Sequence, residues 1–133
     1  MDDILRRIDE AVDEHRERLE AALAYGGDTH TVEDVWQAIR AGMMQIWPGG
    51  NSVVVTEIVS YPRKKVLHIF LAGGVLAELR DMEPRVEQFA RMNGCSGITI
   101  AGRAGWVRAL ADLGYKETLR SLHKEVAPVG AGG

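Results

Sequence analysis

The sequence is poor in the residues on which several common kinds of chemistry depend. One cysteine, Cys95, stands in 133 residues, so no internal disulfide can form and a reducing compartment is expected. Lying between Gly94 and Ser96, it reads as a packing or loop thiol and not as a nucleophile. The four histidines are far apart, with no His-x-x-x-His or Cys-x-x-Cys spacing, and no metal site is expected. Basic residues are outnumbered, giving a net charge of −3 and no basic stripe to meet phosphates, which argues against nucleic acid as a partner. No apolar run approaches a membrane span of ~20 residues. The opening Met1-Asp2-Asp3 is acidic where a secretory leader is basic, so the expectation is a cytoplasmic protein without membrane contact. A Walker glycine loop, a GxGxxG turn, internal repeats and low-complexity stretches are all missing.

What is present is enough for one domain with a proper core, and the chain is organised around Lys65–Tyr115. Val66, Leu67, Ile69, Phe70, Leu71 and Ala72, with His68 among them, make a short apolar run bounded by a basic turn and Gly73-Gly74. Such a run predicts a strand covered on both faces. Beyond the glycines the period becomes helical, with Leu76, Leu79, Met82, Val86, Phe89 and Ala90 on one face. Gly94 stops that helix and Gly97–Ala101 begins a second apolar strand, completing a βαβ crossover. The ligand site of such a unit lies beyond the carboxyl end of its first strand, here Leu71–Val75. Pro84 predicts that Val75–Met82 is a separate turn or short helix, with the main helix starting near Glu83-Pro84.

The flanking segments follow the same logic. Leu5, Ile8, Val12, His15, Leu19 and Ala22 form a heptad-like seam along a helix Asp2–Ala24. That seam packs on its own domain or, being narrow and heavily charged at its flanks, meets another subunit. Thr31 and Asp34 predict a capping box, opening a helix with Val32, Val35, Trp36, Ile39 and Met43 on its apolar face and ending near Gly42. Met43–Trp47 and Ser52–Val59 predict two strands across the turn Pro48-Gly49-Gly50-Asn51, and Tyr61–Lys64 turns the chain into the central strand. After the turn Gly102-Arg103-Ala104-Gly105, Trp106, Val107, Leu110 and Leu113 fall at helical spacing, and Gly114 fits the position just past the helix end. Tyr115–Val126 is expected to be a last strand, with a tail at Ala127–Gly133. Residues 1–126 then form a single domain, with helix 1–24 appended.

Two features carry candidate chemistry. Glu57 is the one carboxylate inside an apolar strand; it needs a partner or must face a cleft or solvent, and burial would move it towards general-base range. Ala72-Gly73-Gly74 offers backbone N–H groups at a strand–helix turn, where an anion could bind, although a tight turn explains two glycines equally well.

The element order helix, helix, three antiparallel strands, helix, strand, helix, strand resembles the GNAT (Gcn5-related N-acetyltransferase) fold over about Thr31–His123, an α/β (α+β) mixed sheet. The strand GITIA, the segment GRAGWVRAL and the closing LADLGYKE resemble the part of that family that ends in a Leu-Gly-Phe/Tyr signature. The segment DVWQAIRAGMMQIWPGGNSVVVTEIVSYPRKKVLHIFLAGG is also similar to small GNAT-like proteins of tailed bacteriophages and prophages. The resemblance implies acetyl-CoA as cofactor and a small-molecule or protein amine as acceptor. Its pantetheine arm would lie along Ile69, Phe70, Leu71 and Ala72, and its pyrophosphate on Gly73, Gly74 and Val75. Gly74→Glu is then expected to abolish cofactor binding. The loop departs from the family's Gln/Arg-x-x-Gly-x-Gly/Ala pattern, with adjacent glycines and no basic residue before Arg80. The tyrosine that many members use as general acid has no match, Trp106 being the aromatic there. Glu57 would deprotonate the amine through water. The alternative is a catalytically silent GNAT-like module of a phage, in the host cytoplasm or the virion, contacting a second copy or a phage protein through its first helix.

Overall fold

The computed structural model describes residues 2–101 and 105–130, which divide into two units, Met1–Ala101 and Gly102–Gly133. The first unit holds α1 (Asp2–Glu14), α2 (Arg16–Tyr25), α3 (Val32–Arg40), β1 (Met44–Pro48), β2 (Ser52–Ser60), β3 (Lys65–Gly74), α4 (Leu76–Met92) and β4 (Gly97–Ile100). Its sheet has the order β1-β2-β3-β4, antiparallel up to β3 and parallel between β3 and β4. The meander and the crossover are as the sequence predicts.

Strand alternation sends side chains to two separate cores. On one face Met44, Val53, Val55 and Leu71 meet Val12, Leu19, Leu23, Val35 and Ile39 from the first three helices. On the other, Leu67 meets Val86 and Ala90 of α4, with Trp47, Phe89 and Ile98 around them. β3 therefore feeds both cores, which is why its sequence reads as a continuous apolar run. Around Thr56 the polar atoms taken inside are matched: Trp47 Nε1 donates to Thr56 Oγ1 at 3.0 Å, and Thr56 Oγ1 donates to Gln45 Oε1 at 2.8 Å, whereas the buried His15 Nε2 has no hydrogen-bond partner among the described residues.

The expected first helix is two. His15 adopts φ −104°, ψ 16°, but the ladder runs on through it, from His15 N to Ala11 O and from Leu19 N to His15 O, so the chain bends without ending. The bend lays Leu19 and Leu23 on the sheet and buries His15 completely. Arg18 Nη1 lies 2.9 Å from His15 Nδ1; since a guanidinium only donates, Nδ1 accepts. The heptad-like seam is thus consumed by its own core, with Val12 and Leu19 buried and Ile8 packed beside them.

α3 begins where expected. Thr31 Oγ1 accepts from Asp34 N at 3.1 Å and Asp34 Oδ2 accepts from Thr31 N at 2.9 Å. Met43 lies outside its apolar face and is exposed, and β1 starts one residue later, at Met44. Asp9 ties α1 to α3 by accepting from Trp36 Nε1 at 2.7 Å and from Arg40 Nη1 at 2.8 Å. Thr31→Ala is expected to lower stability by about 1 kcal/mol, read as a fall in the urea midpoint at constant slope. An unchanged midpoint would show that the cap contributes nothing.

α4 is one continuous helix, and the expected late start at Glu83-Pro84 is not observed. Pro84 lies on its exposed side, where the carbonyl that loses its intrahelical donor can face water, while Met82 and Val86 anchor the helix to the sheet.

In the second unit a short helix α5 (Gly105–Ala109) leads to a 3₁₀ turn (Ala111–Leu113), and Gly114 closes it at φ 94° as expected. The expected turn at Gly102–Ala104 lies outside the described residues, as do the side chain of Val107 and the end of the tail. The expected strand Tyr115–Val126 does not form; Leu119, Leu122 and Val126 are all exposed. Tyr115, Leu119, Leu122 and Val126 recur at spacings of four and three, so an extended chain has no single apolar face to lay on a sheet.

Candidate functional site

The site is set by an irregularity in β3. Ser60 to Thr56 pair in step with Lys65 to Ile69, but Val55 pairs with Leu71, leaving Phe70 as an extra residue in a β-bulge. The parallel ladder to β4 ends at the same place, at Ile69 and Ile100. From Phe70 to Gly74, β3 has no partner on its β4 side among the described residues. Its backbone groups there are available to an extended ligand.

Beside the bulge, on the face shared with α1–α3, a polar row crosses the sheet. The register places Glu57 of β2 directly opposite His68 of β3, and His68 directly opposite Thr99 of β4. Side chains so paired have Cβ atoms about 5 Å apart. His68 Nδ1 lies 2.9 Å from Thr99 Oγ1, and both Glu57 and His68 are half-buried. Sequence reading singled out Glu57 and passed over His68. The signal was present, because the four-residue turn Tyr61–Lys64 fixes the hairpin register that makes the two face each other.

Phe70 also receives the ring of His30, edge-on at 4.8 Å between centroids. His30 belongs to an open groove of about 700 Å³ between α2 and α3, whose polar lining includes Arg16, Glu17, Glu20, Asp28 and Glu33. Glu33 is neutralised by Arg16, with Nη1 to Oε1 at 2.9 Å. The groove is acidic on balance and opens beside the bulge.

The glycine turn is tightly packed at one of its two glycines. Gly74 has φ 112°, and a Cβ there would come within 2.2 Å of Asn51 O and 2.5 Å of Ser52 Cα. A Cβ on Gly73 would meet the Arg18 backbone oxygen at 3.6 Å. Packing against the β1–β2 turn thus explains Gly74, whereas a Cβ on Gly73 would make only an ordinary contact with α2. Val75 N–H donates to Asn51 O at 3.3 Å. Glu78, in the first turn of α4, accepts from Asn51 N and from Ser52 Oγ, each at 2.9 Å. The bond from the Asn51 backbone, followed by that from the Ser52 hydroxyl, holds the Glu78 carboxyl below the ordinary glutamate range.

A carboxyl lowered on folding stabilises the fold fully above its unfolded value and loses that contribution as pH falls through the lowered one. Glu78→Gln is therefore expected to flatten the stability–pH curve on the acid side, below the ordinary glutamate value. Denaturant titrations at neutral and acid pH measure this; identical acid-side slopes for the two proteins would refute the clamp.

Among the described residues, no cluster of three or more side chains could hold a metal ion, and no helix is long and apolar enough to cross a membrane. Taken with its bulged third strand and the helix crossover to a parallel fourth, the mixed sheet defines the fold of the GNAT acetyltransferases. Among solved structures it is similar to an acetyltransferase of Trypanosoma brucei, with TM-score 0.60 and 12% identity over 83% of this chain and 92% of that one. It is also similar to a probable acetyltransferase, with TM-score 0.67 and 9% identity over 90% and 94%. Glucosamine-6-phosphate N-acetyltransferase from Arabidopsis thaliana follows the same course, with TM-score 0.56 and 13% identity over 87% and 94%. No family model matches the chain, and no curated protein matches it. At these identities the likeness concerns the fold.

Proposed function

We propose that the protein is an acetyl-CoA-dependent N-acetyltransferase acting on an amine. The observation that carries this reading is the coincidence of the bulged, half-open strand β3 with the Glu57–His68–Thr99 row. When bound, the cofactor supplies the acetyl group as a thioester. The residues present fit its pantetheine arm, since the backbone of Ile69–Ala72 borders the open edge and can pair with amides. They do not fit its diphosphate, because Gly74 is packed against Asn51 and Ser52, the Val75 N–H is given to Asn51 O, and the Glu78 carboxylate follows.

An amine is a nucleophile only after it loses its proton. His68 would take that proton in the tautomer whose Nδ1–H donates to Thr99 Oγ1, which leaves Nε2 as the acceptor. Glu57, opposite His68 in the register, would accept the proton through water. The acidic groove beside Phe70 favours an acceptor that arrives as a cation.

Calorimetric titration of the pure protein with acetyl-CoA, with CoA in parallel, tests the reading. Micromolar binding supports it and justifies an amine screen. The packed glycine pair favours a second reading, in which the fold is kept as a binding or assembly module, phage-encoded and catalytically silent. No heat at millimolar ligand would select that reading.

A further inference from the structure

The turn between β3 and α4 has the location of an anion site and lacks its chemistry. A diphosphate needs several convergent N–H groups or a cation. Here the space over Gly74 is filled by the backbone of Asn51 and Ser52, Gly73 faces Arg18, and the Val75 N–H is already given to Asn51 O. The negative charge that the start of α4 favours is supplied by the chain itself, through Glu78. That carboxylate is fixed by its bonds to Asn51 N and Ser52 Oγ, so a second anion brought to the same turn meets an immobile like charge.

The open edge of β3 is different. Phe70–Gly74 spans roughly 15 Å of extended backbone at about 3.3 Å per residue. That suits a chain carrying two amides and a terminal thioester. It lies beside His68 and Thr99.

We propose that this protein recognises its acyl donor through the pantetheine arm alone, the nucleotide diphosphate contributing little. Its donor class is pantetheine thioesters in general, and acetyl-CoA is one member. This rests on the acetyl-transfer reading above.

The test is a pair of calorimetric titrations of the full chain, with acetyl-CoA and with acetyl-pantetheine, each at low and high salt. Dissociation constants within about threefold of each other, with little salt dependence, are expected. Acetyl-CoA binding tighter by about tenfold or more would overturn the proposal and leave the acetyl-transfer reading standing. Failure of both donors to bind would overturn the two together. Glu78→Gln, which keeps an acceptor for Asn51 and Ser52, adds a second measurement. A selective gain of about threefold for acetyl-CoA would support the repulsion assigned to Glu78. Equal effects on both donors, or none, would overturn that assignment.

Discussion

Alanine at Gly74 is expected to destabilise the protein by about 3 kcal/mol or more, enough to unfold much of a marginal domain. Two costs combine. The backbone there is at φ 112°, which L residues rarely adopt, and the new Cβ would stand 2.2 Å from Asn51 O and 2.5 Å from Ser52 Cα. Those are backbone atoms in a paired hairpin, and neither can step aside without breaking β1–β2. Gly27→Ala separates the two costs: it has a similar φ of 96° and nothing within 4 Å, so strain alone should cost about 1–2 kcal/mol. Urea unfolding of both variants measures the difference. Equal losses would mean that the hairpin turn does not lie against Gly74. The Gly74→Glu substitution suggested by the sequence is for the same reason no probe of ligand contact, since the fold would be lost before binding could be tested.

The second large effect is expected at the polar row. His68→Ala should lower kcat for acetyl transfer by about a hundredfold or more while leaving donor affinity unchanged, as removal of a general base does. Glu57→Gln should lower it less, because Glu57 would reach the amine proton only through water. The double variant should then be little worse than His68→Ala alone, since the two act as a unit. Calorimetry on the same preparations checks that the donor still binds. Full activity in His68→Ala would remove the row from the mechanism and return Glu57, acting through water, to the position of sole candidate.

Period and punctuation made the first unit legible. The capping box at Thr31 and Asp34, the turn at Pro48–Asn51 and the doubly covered run Val66–Ala72 each carry a local rule that tertiary structure had no reason to override. The errors arose where a local rule met a long-range one. Pro84 argues against a helix interior, but Met82 and Val86 hold it to the sheet from both sides. The seam of the first helix left two readings open because the sheet that covers Val12 and Leu19 lies further along the chain. The site shows the same division. Glu57 was visible as a lone carboxylate, whereas His68 acquires meaning only from the residues opposite it. The Gly-Gly pair was visible too, but its reason, the backbone of Asn51 pressed against it, belongs to a different turn.

The contact between that turn and α4 links residues 27 apart through the Glu78 carboxylate, beside the bond from Val75 N–H to Asn51 O. A chain that closes such a loop early gains a hairpin and a helix start in one event; one that loses it gives up both. The β1–β2 turn and the first turn of α4 should therefore open as one cooperative unit. The entrance to the open half of β3 is in this sense a seam that holds or parts as a whole.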